Sequence, residues 1–532
     1  MKVKNTLGIL QGFIASLKKF PDRPALKADE ITYTYKEIHS YAGKIADAIK
    51  GVDSDNQINV AILANKSITT YASILGTLVS QNCYVPINPK FPATRNVNIL
   101  KQAECNILIA DSYSIPTLAA IVDEIDYPIT IILPNITSEN AVLEENKIHQ
   151  IVYSDQFNTM PIQWESIPIE KNYPAYLLFT SGSTGIPKGI QVSHENILAY
   201  VSNTIARYDF KPTDRITQTF DLTFDLSVHD MFICWEVGAC LCPIPNNQSL
   251  ISAKFIKENK ISCWFSVPSM AVVLSKMKML KHDMYPDLRI SLFCGEPLSV
   301  PIAEQWALAA PNSLIESLYG PTEATIAIAN YKINNQLIQA AKHDIVPIGY
   351  LFKNQEFCVV NSSLVDVNVE EPGELCLSGT QVTKGYWKND EKTKEQYVTI
   401  SGKGETIWYR TGDLVRQDKT GCLHFLGRTD HQVKINGFRV ELQEIEAAIK
   451  EITKAHQVII LAWPLQNNVT QSLVAFITQM EGIHTQQVIQ SCKKKLPTYM
   501  VPSRILFLTT FPVNVNGKID RKELINLLEK NG

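Results

Sequence analysis

From Asp22 to Tyr319 short apolar runs take turns with stretches of helical period, an order that few architectures accept. Runs at 31–35, 58–63, 107–110 and 129–133 read as strands, with helices over 36–49 and 68–79 between the first of them. Strands separated by helices predict βαβ units and a largely parallel sheet, hence an α/β fold class. A helix over 194–208 and a strand opening at Gln218 continue the series, while 135–166 reads as a polar surface excursion. Three further runs, 262–267, 288–294 and 313–319, each stop at turn formers or glycine. Ligands of open α/β sheets bind beyond the carboxyl ends of strands. Ser266, Cys294-Gly295-Glu296 and Tyr319-Gly320 are therefore predicted to converge.

Residues 177–189, LLFTSGSTGIPKG, run from an apolar strand straight into hydroxyls, glycines and one lysine. Glycines let backbone N–H groups approach an anion, hydroxyls add donors, and a lysine adds a mobile positive charge. The order is not that of a Walker A loop, because Ile186-Pro187 separates Gly185 from Lys188 and Gly189 follows. By itself the segment fits a phosphate cradle or a Ser/Gly turn between two strands.

At 532 residues the chain exceeds one hydrophobic core, so two or more domains are expected. With 45% hydrophobic and 19% charged residues it reads as an ordinary globular protein. A net charge of −3 speaks against general binding to nucleic acid or to a membrane surface. No run approaches the roughly 18–20 apolar residues of a membrane span. The eleven cysteines contain no C-x-x-C pair, which suggests reduced thiols and a cytoplasmic location. Leu7, Leu10, Ile14 and Leu17 share one helical face, so the start reads as a first amphipathic helix, not a signal peptide.

Beyond Asp344 the texture turns to short β segments, 357–360 and 374–377, and a polar break follows at 427–431. A compact unit comes next: a helix over 443–452, strands over 458–462 and 472–477, and a helix over 485–495. The expected division is residues 1–429, β-rich from about 345, and a small α+β domain over 430–532.

Tyr319-Gly320-Pro321-Thr322-Glu323 sets an aromatic, a tight turn, a hydroxyl and a carboxylate in five residues after a strand. Tyr409-Arg410-Thr411-Gly412-Asp413 adds a carboxylate, Gly427-Arg428 a guanidinium, and Asn516-Gly517-Lys518-Ile519-Asp520-Arg521 a lysine on a turn. Each alone reads equally as a turn or a solvated residue.

Together, with GELCLSGTQVTKGYW (373–387), GRTDHQVKINGFRVEL (427–442) and LPTYMVP (496–502), these motifs closely resemble the adenylate-forming superfamily. That superfamily contains acyl-CoA synthetases, firefly luciferase and the adenylation domains of nonribosomal peptide synthetases. The resemblance covers nearly the whole chain. It implies a large N-terminal domain of βαβ-type sheets with a β-barrel-like subdomain, and a small mobile C-terminal domain hinged at Asp430. It further implies that Thr180, Ser181, Gly182, Ser183, Thr184, Gly185 and Lys188 hold the β and γ phosphates of ATP. Tyr319 would stack on adenine with Gly295, Glu296 and Pro297 on its other face, and Asp413 and Arg428 would hold the ribose. Thr322 would touch the α phosphate, Glu323 would bind magnesium, and Lys518 would bridge the substrate carboxylate and the α phosphate. In a second step the C-terminal domain would turn, withdrawing Lys518 and presenting Lys434 and its loop to the thiol of a phosphopantetheine on a separate carrier protein.

Phe224-Asp225-Leu226-Ser227 narrows the acyl substrate. Amino-acid-activating members carry an aspartate there for the α-ammonium group, and a buried carboxylate facing an alkyl chain would be left unpaired at considerable cost. An amino acid is favoured over the acyl or aryl acid of a CoA ligase; a non-catalytic adenylate-binding protein is the remaining alternative. The positions resembling the family's pocket are Asp225, Leu226, His229, Ser266, Leu292, Cys294, Leu318, Ile326 and Ala327, apolar for the most part. They point to a small or medium neutral amino acid, with proline or alanine of either hand favoured. His229 reads equally as a selectivity residue or a helix-face histidine. The segments FCGE (293–296) and INGFR (435–439) resemble the D-alanyl carrier protein ligases, and the apolar lining also suits prolyl-activating enzymes. Ser317 departs from the pattern where asparagine is common.

Overall fold

The structure, a computed structural model, describes residues 7–53, 57–141, 148–157, 164, 169–182, 187–245, 252–333, 345–430, 432–435, 437–466, 469–470, 472–479, 482–513 and 519–530. Two large sheets make its body. The first runs Gln150–Tyr153, Thr130–Leu133, Ile107–Ala110, Asn59–Leu63, Cys83–Ile87, Pro174–Thr180 and Lys188–Ser193, parallel up to its last pair, a hairpin. The second has nine strands; its parallel centre sets Leu314–Tyr319, Ile290–Phe293, Cys263–Ser266, Arg215–Gln218 and Cys240–Pro243 side by side.

Helices Ile68–Val79 and Leu226–Val237 are buried over nearly their whole length. A helix apolar all round belongs between layers, and both contribute to one core shared by the two sheets. Helix Tyr35–Val52 opens on a capping box, Thr34 with Glu37, which satisfies two otherwise orphaned N–H groups.

A five-stranded antiparallel subdomain follows, with strands Gln355–Val360, Pro372–Gly379, Tyr397–Thr399, Ile407–Gln417 and Leu423–Arg428. In the last part of the chain strands Val458–Ala462, Leu473–Thr478 and Arg504–Leu508 form a small sheet beside helices Leu442–Thr453, Thr485–Lys495 and Arg521–Lys530. Its two apolar clusters draw only on residues between Val433 and Leu528, so this unit carries its own core.

Three expectations need correction. The excursion at 135–166 contains strand Gln150–Tyr153, whose Ile151, Val152 and Tyr153 pair with Ile131, Ile132 and Leu133 at the edge of the first sheet. Gln218 ends a strand instead of opening one. The first helix begins as a 3-10 turn, Gly8–Leu10, before Gln11–Lys19.

Candidate active site

The carboxyl ends of the central strands converge as the alternation predicted. Strand Leu314–Tyr319 delivers Tyr319, and the turn Thr322–Ala324 delivers Thr322 and Glu323. Strand Ile290–Phe293 ends at Cys294 and Gly295, whose φ of +93° suits glycine. The hairpin of the first sheet brings Thr180 opposite Lys188, with Ser181 just beyond. One cavity runs among Thr180, Asp225, Leu226, Cys294, Thr322 and Lys434. The Thr180 hydroxyl is buried there and has no hydrogen-bond partner among the described residues.

Asp225 precedes helix Leu226–Val237 but does not cap it: its side chain makes no cap bond and accepts the Ile326 N–H at 2.9 Å. Thr325 and Ile326 hold left-handed backbone, φ 56° and 70°, a conformation costing on the order of 1–3 kcal/mol for each such residue. The strain aims the Ile326 amide at the carboxylate. Burial pushes the Asp225 carboxyl up to about 6, and the Ile326 amide, the Thr322 hydroxyl and Lys434 hold it from rising further. Among the described residues no lysine or arginine pairs with it.

At the other end Tyr319 donates its hydroxyl to Asp413, and Arg428 pairs with Asp413 from the neighbouring strand. Arg428 also reaches Asp430 at 2.7 Å, and Asp430 accepts the Gln432 N–H, so the expected hinge is where the β subdomain gives way to the last domain. A second cavity beside Tyr319, Asp413 and Arg428 is walled by Gly295, Glu296 and Pro297, a slot between an aromatic face and a backbone segment.

The hairpin of strands Gln432–Ile435 and Phe438–Glu441 fills the groove between these ends. The Gly437 N–H donates to Glu296 at 2.6 Å. Ser181 donates its hydroxyl to the Arg439 carbonyl at 2.7 Å and accepts the Glu441 N–H at 3.0 Å. Lys188 pairs with Glu441 at 3.1 Å, and Arg439 with Glu323 at 2.7 Å. Sequence reasoning did not single out Arg439 and Glu441, although both lie within GRTDHQVKINGFRVEL. Their charge and alternation on one strand are the only signal available.

The expectation that Glu323 holds magnesium does not fit this arrangement. The residue is fully buried, and its two oxygens accept from Arg439 and from the Tyr386 hydroxyl at 2.9 Å. Burial alone would raise this carboxyl, but Arg439 and Lys188 bring it below its ordinary value. A magnesium ion needs oxygen ligands at about 2.1 Å, which this carboxylate cannot offer while the guanidinium is bound. Elsewhere Asp418, Cys422 and His424 stand close together, but Asp418 accepts the Thr420, Cys422 and His424 donors that close its hairpin turn.

Of the nine pocket positions only Asp225, Leu226 and Cys294 face the first cavity. Leu318 faces the second. His229 belongs to the core: its Nδ1 lies 2.6 Å from the Tyr200 hydroxyl, its ring 4.4 Å from Phe265, and burial lowers it to about 3. Ser266 accepts the Trp264 indole N–H, and Leu292, Ile326 and Ala327 are buried around the same core. Ser183, Thr184, Gly185 and Lys518 lie outside the described residues.

From Asp225 the first cavity continues past Phe224 and Phe438, whose rings meet edge to face at 4.5 Å, to Tyr499, stacked on Phe438 at 3.7 Å. It reaches Arg95, which pairs with Glu444 at 2.5 Å across the domain boundary. Its lining at this end is largely aromatic, and the two cavities share Gly295, Tyr319, Asp413, Arg428 and Lys434.

The pattern described as AMP-binding enzyme matches residues 13–387, and that of the AMP-binding enzyme C-terminal domain matches 444–518. The chain is 26% identical, over 96% of its length and 98% of the relative's, to a D-alanine--D-alanyl carrier protein ligase of Bacillus licheniformis. It is 30% identical over 97% of its length to a linear gramicidin synthase polypeptide of Brevibacillus parabrevis, of which it spans 10%. Among solved structures, the Vibrio cholerae adenylation domain AlmE in complex with glycyl-adenosine-5'-phosphate superposes with a TM-score of 0.88 at 29% identity, covering 100% of this chain and 99% of that one.

Proposed function

This chain belongs to the AMP-binding enzyme family, and from that premise we propose that it activates a small neutral amino acid with ATP and passes it to a carrier protein. The amino-acid carboxylate attacks the α phosphate of ATP, pyrophosphate leaves, and an aminoacyl-AMP remains. The thiol of a carrier's phosphopantetheine then gives up its proton and attacks the acyl carbonyl, and AMP leaves. One observation carries the reading: a buried carboxylate, Asp225, at the head of the cavity, with no cation paired to it among the described residues. Such a group is costly unless the ligand supplies an ammonium. Amino-acid-dependent exchange of labelled pyrophosphate into ATP tests this, and exchange driven by fatty or aryl acids alone would refute it.

The likeness to the carrier protein ligase and to AlmE supports the carrier and a small substrate. Leu226 and Cys294 close the cavity beside Asp225, and the layer behind them is filled by Tyr200, His229 and Phe265. Glycine and alanine are expected to drive exchange well ahead of proline, with leucine and lysine near background, across a panel of amino acids that includes D-alanine.

The arrangement seen suits the second step. Ser181 and Lys188, the groups expected to grip pyrophosphate, are engaged by the C-terminal hairpin, and pyrophosphate must displace it to return. Lys518 is assigned to the first step with the domain turned about Asp430. In this arrangement Glu323 serves to seat Arg439. Arg439→Ala is expected to slow aminoacyl transfer to the carrier far more than pyrophosphate exchange. Removing one partner of a buried pair costs about 3–5 kcal/mol, and this cost falls on the arrangement seen.

The sign of the pH response follows from the buried carboxylate. Burial raises Asp225 to about 6 in the free enzyme, so it is ionised above that pH and neutral below. The KM for the amino acid is expected to be flat above pH 6 to 7 and to climb as pH falls through about 6. Asp225→Asn should remove that acid limb from the profile.

A further inference from the structure

We infer that Lys66 is a positioning residue for amino-acid binding, its ammonium tying the segment that carries Asp225 to the first sheet. The inference rests on the amino-acid reading above. Lys66 follows strand Asn59–Leu63 of the first sheet, and its Nζ donates to the carbonyls of Gln218 at 3.0 Å and Thr219 at 2.9 Å. Those carbonyls end strand Arg215–Gln218 of the second sheet, and the next six residues lead to Asp225. Two neighbours brace the same segment: the Asn88 amide donates to Asp221 at 2.6 Å, and the Tyr71 hydroxyl meets the Gln218 side chain at 3.3 Å. Gln218 in turn donates to the Phe220 carbonyl at 2.6 Å.

Of these braces only Lys66 is a cation. Burial lowers its ammonium to about 8, and Asp221 and Asp230 hold it up. Asp230 lies five residues beyond Asp225 in helix Leu226–Val237 and is fully buried. Burial raises the Asp230 carboxyl well above its ordinary value, and Lys66 and the Thr219 amide act against that rise. Losing Lys66 frees two carbonyls on the segment that leads to Asp225 and removes the cation that acts on Asp230. Asp225 sits at the end of that segment, so the amino-acid site feels the change while the slot beside Tyr319 does not.

Steady-state pyrophosphate exchange on the full chain tests this, with the KM values for amino acid and ATP measured separately. Lys66→Met is expected to raise the amino-acid KM about 10-fold or more while the ATP KM stays within about twofold, and Lys66→Arg, which keeps charge and donors, should recover most of the loss. An amino-acid KM within about twofold of wild type in Lys66→Met overturns the inference. So does an equal rise in both KM values that arginine does not repair. Should Lys66→Met fail to fold, Lys66→Gln takes its place under the same criteria. Wild-type enzyme without exchange on any amino acid would bring down the amino-acid reading and this inference together, whereas active wild type with an indifferent variant removes Lys66 alone.

Discussion

Asp225→Asn is expected to raise the KM for the amino acid about 30- to 4000-fold and to leave ATP binding nearly unchanged. The magnitude is that of truncating one partner of a buried, hydrogen-bonded charge pair, about 2–5 kcal/mol, at tenfold per 1.4 kcal/mol. The side chain is 5% exposed and accepts the Ile326 N–H, so asparagine fits the space while losing the charge. Its amide oxygen can still accept the Ile326 N–H, which leaves the NH2 as a donor on the side open to the ammonium and adds to the loss. Pyrophosphate exchange at varied amino acid, with ATP affinity read by equilibrium binding, separates the two sites. An unchanged amino-acid KM would end the assignment of Asp225 to the ammonium group.

Lys518→Ala is expected to lower the rate of aminoacyl-AMP formation about 100- to 1000-fold, the range for removing one positioned group that offsets developing charge. Transfer from pre-formed aminoacyl-AMP to the carrier should persist, since that step uses the arrangement in which the hairpin of Gln432–Ile435 and Phe438–Glu441 fills the groove. Arg439→Ala should give the opposite pattern, because Arg439 meets Glu323 only with the hairpin seated. The pair of variants therefore splits the reaction at its intermediate. Measuring exchange and single-turnover loading on both checks the split; equal loss of both steps in each variant would mean that the two domain arrangements are not separate states.

Much of the α/β body could be read directly. The helix over 68–79, the strand over 107–110 and the helix over 485–495 stand where periodicity put them. Strand Gln150–Tyr153 is easily passed over, because its apolar run, Ile151-Val152-Tyr153, is only three residues long and stands in a polar stretch. In the site, Thr180, Asp225, Cys294, Tyr319, Thr322 and Lys434 were legible and do gather around one cavity. His229 was not decidable, since one turn of a helix buried on all sides presents pocket and core residues at the same spacing. Arg439 was missed for a different reason: a strand charge reveals nothing of a partner 116 residues away.

The sequence by itself determined the family and the candidate residues, because the groups proposed to meet phosphate, base and ammonium come as short motifs. LLFTSG and YGPTE run on from strand ends, and FDLS opens helix Leu226–Val237. Only the tertiary structure decided how far the amino-acid cavity extends and what sits on Glu323. Leu226 and Cys294 close the cavity because Tyr200, His229 and Phe265, from three separate elements, pack behind them. Glu323 faces a guanidinium because the C-terminal domain docks its hairpin there. Both are packing between distant segments, and packing is settled by shape and burial in three dimensions, on which a local pattern has no hold.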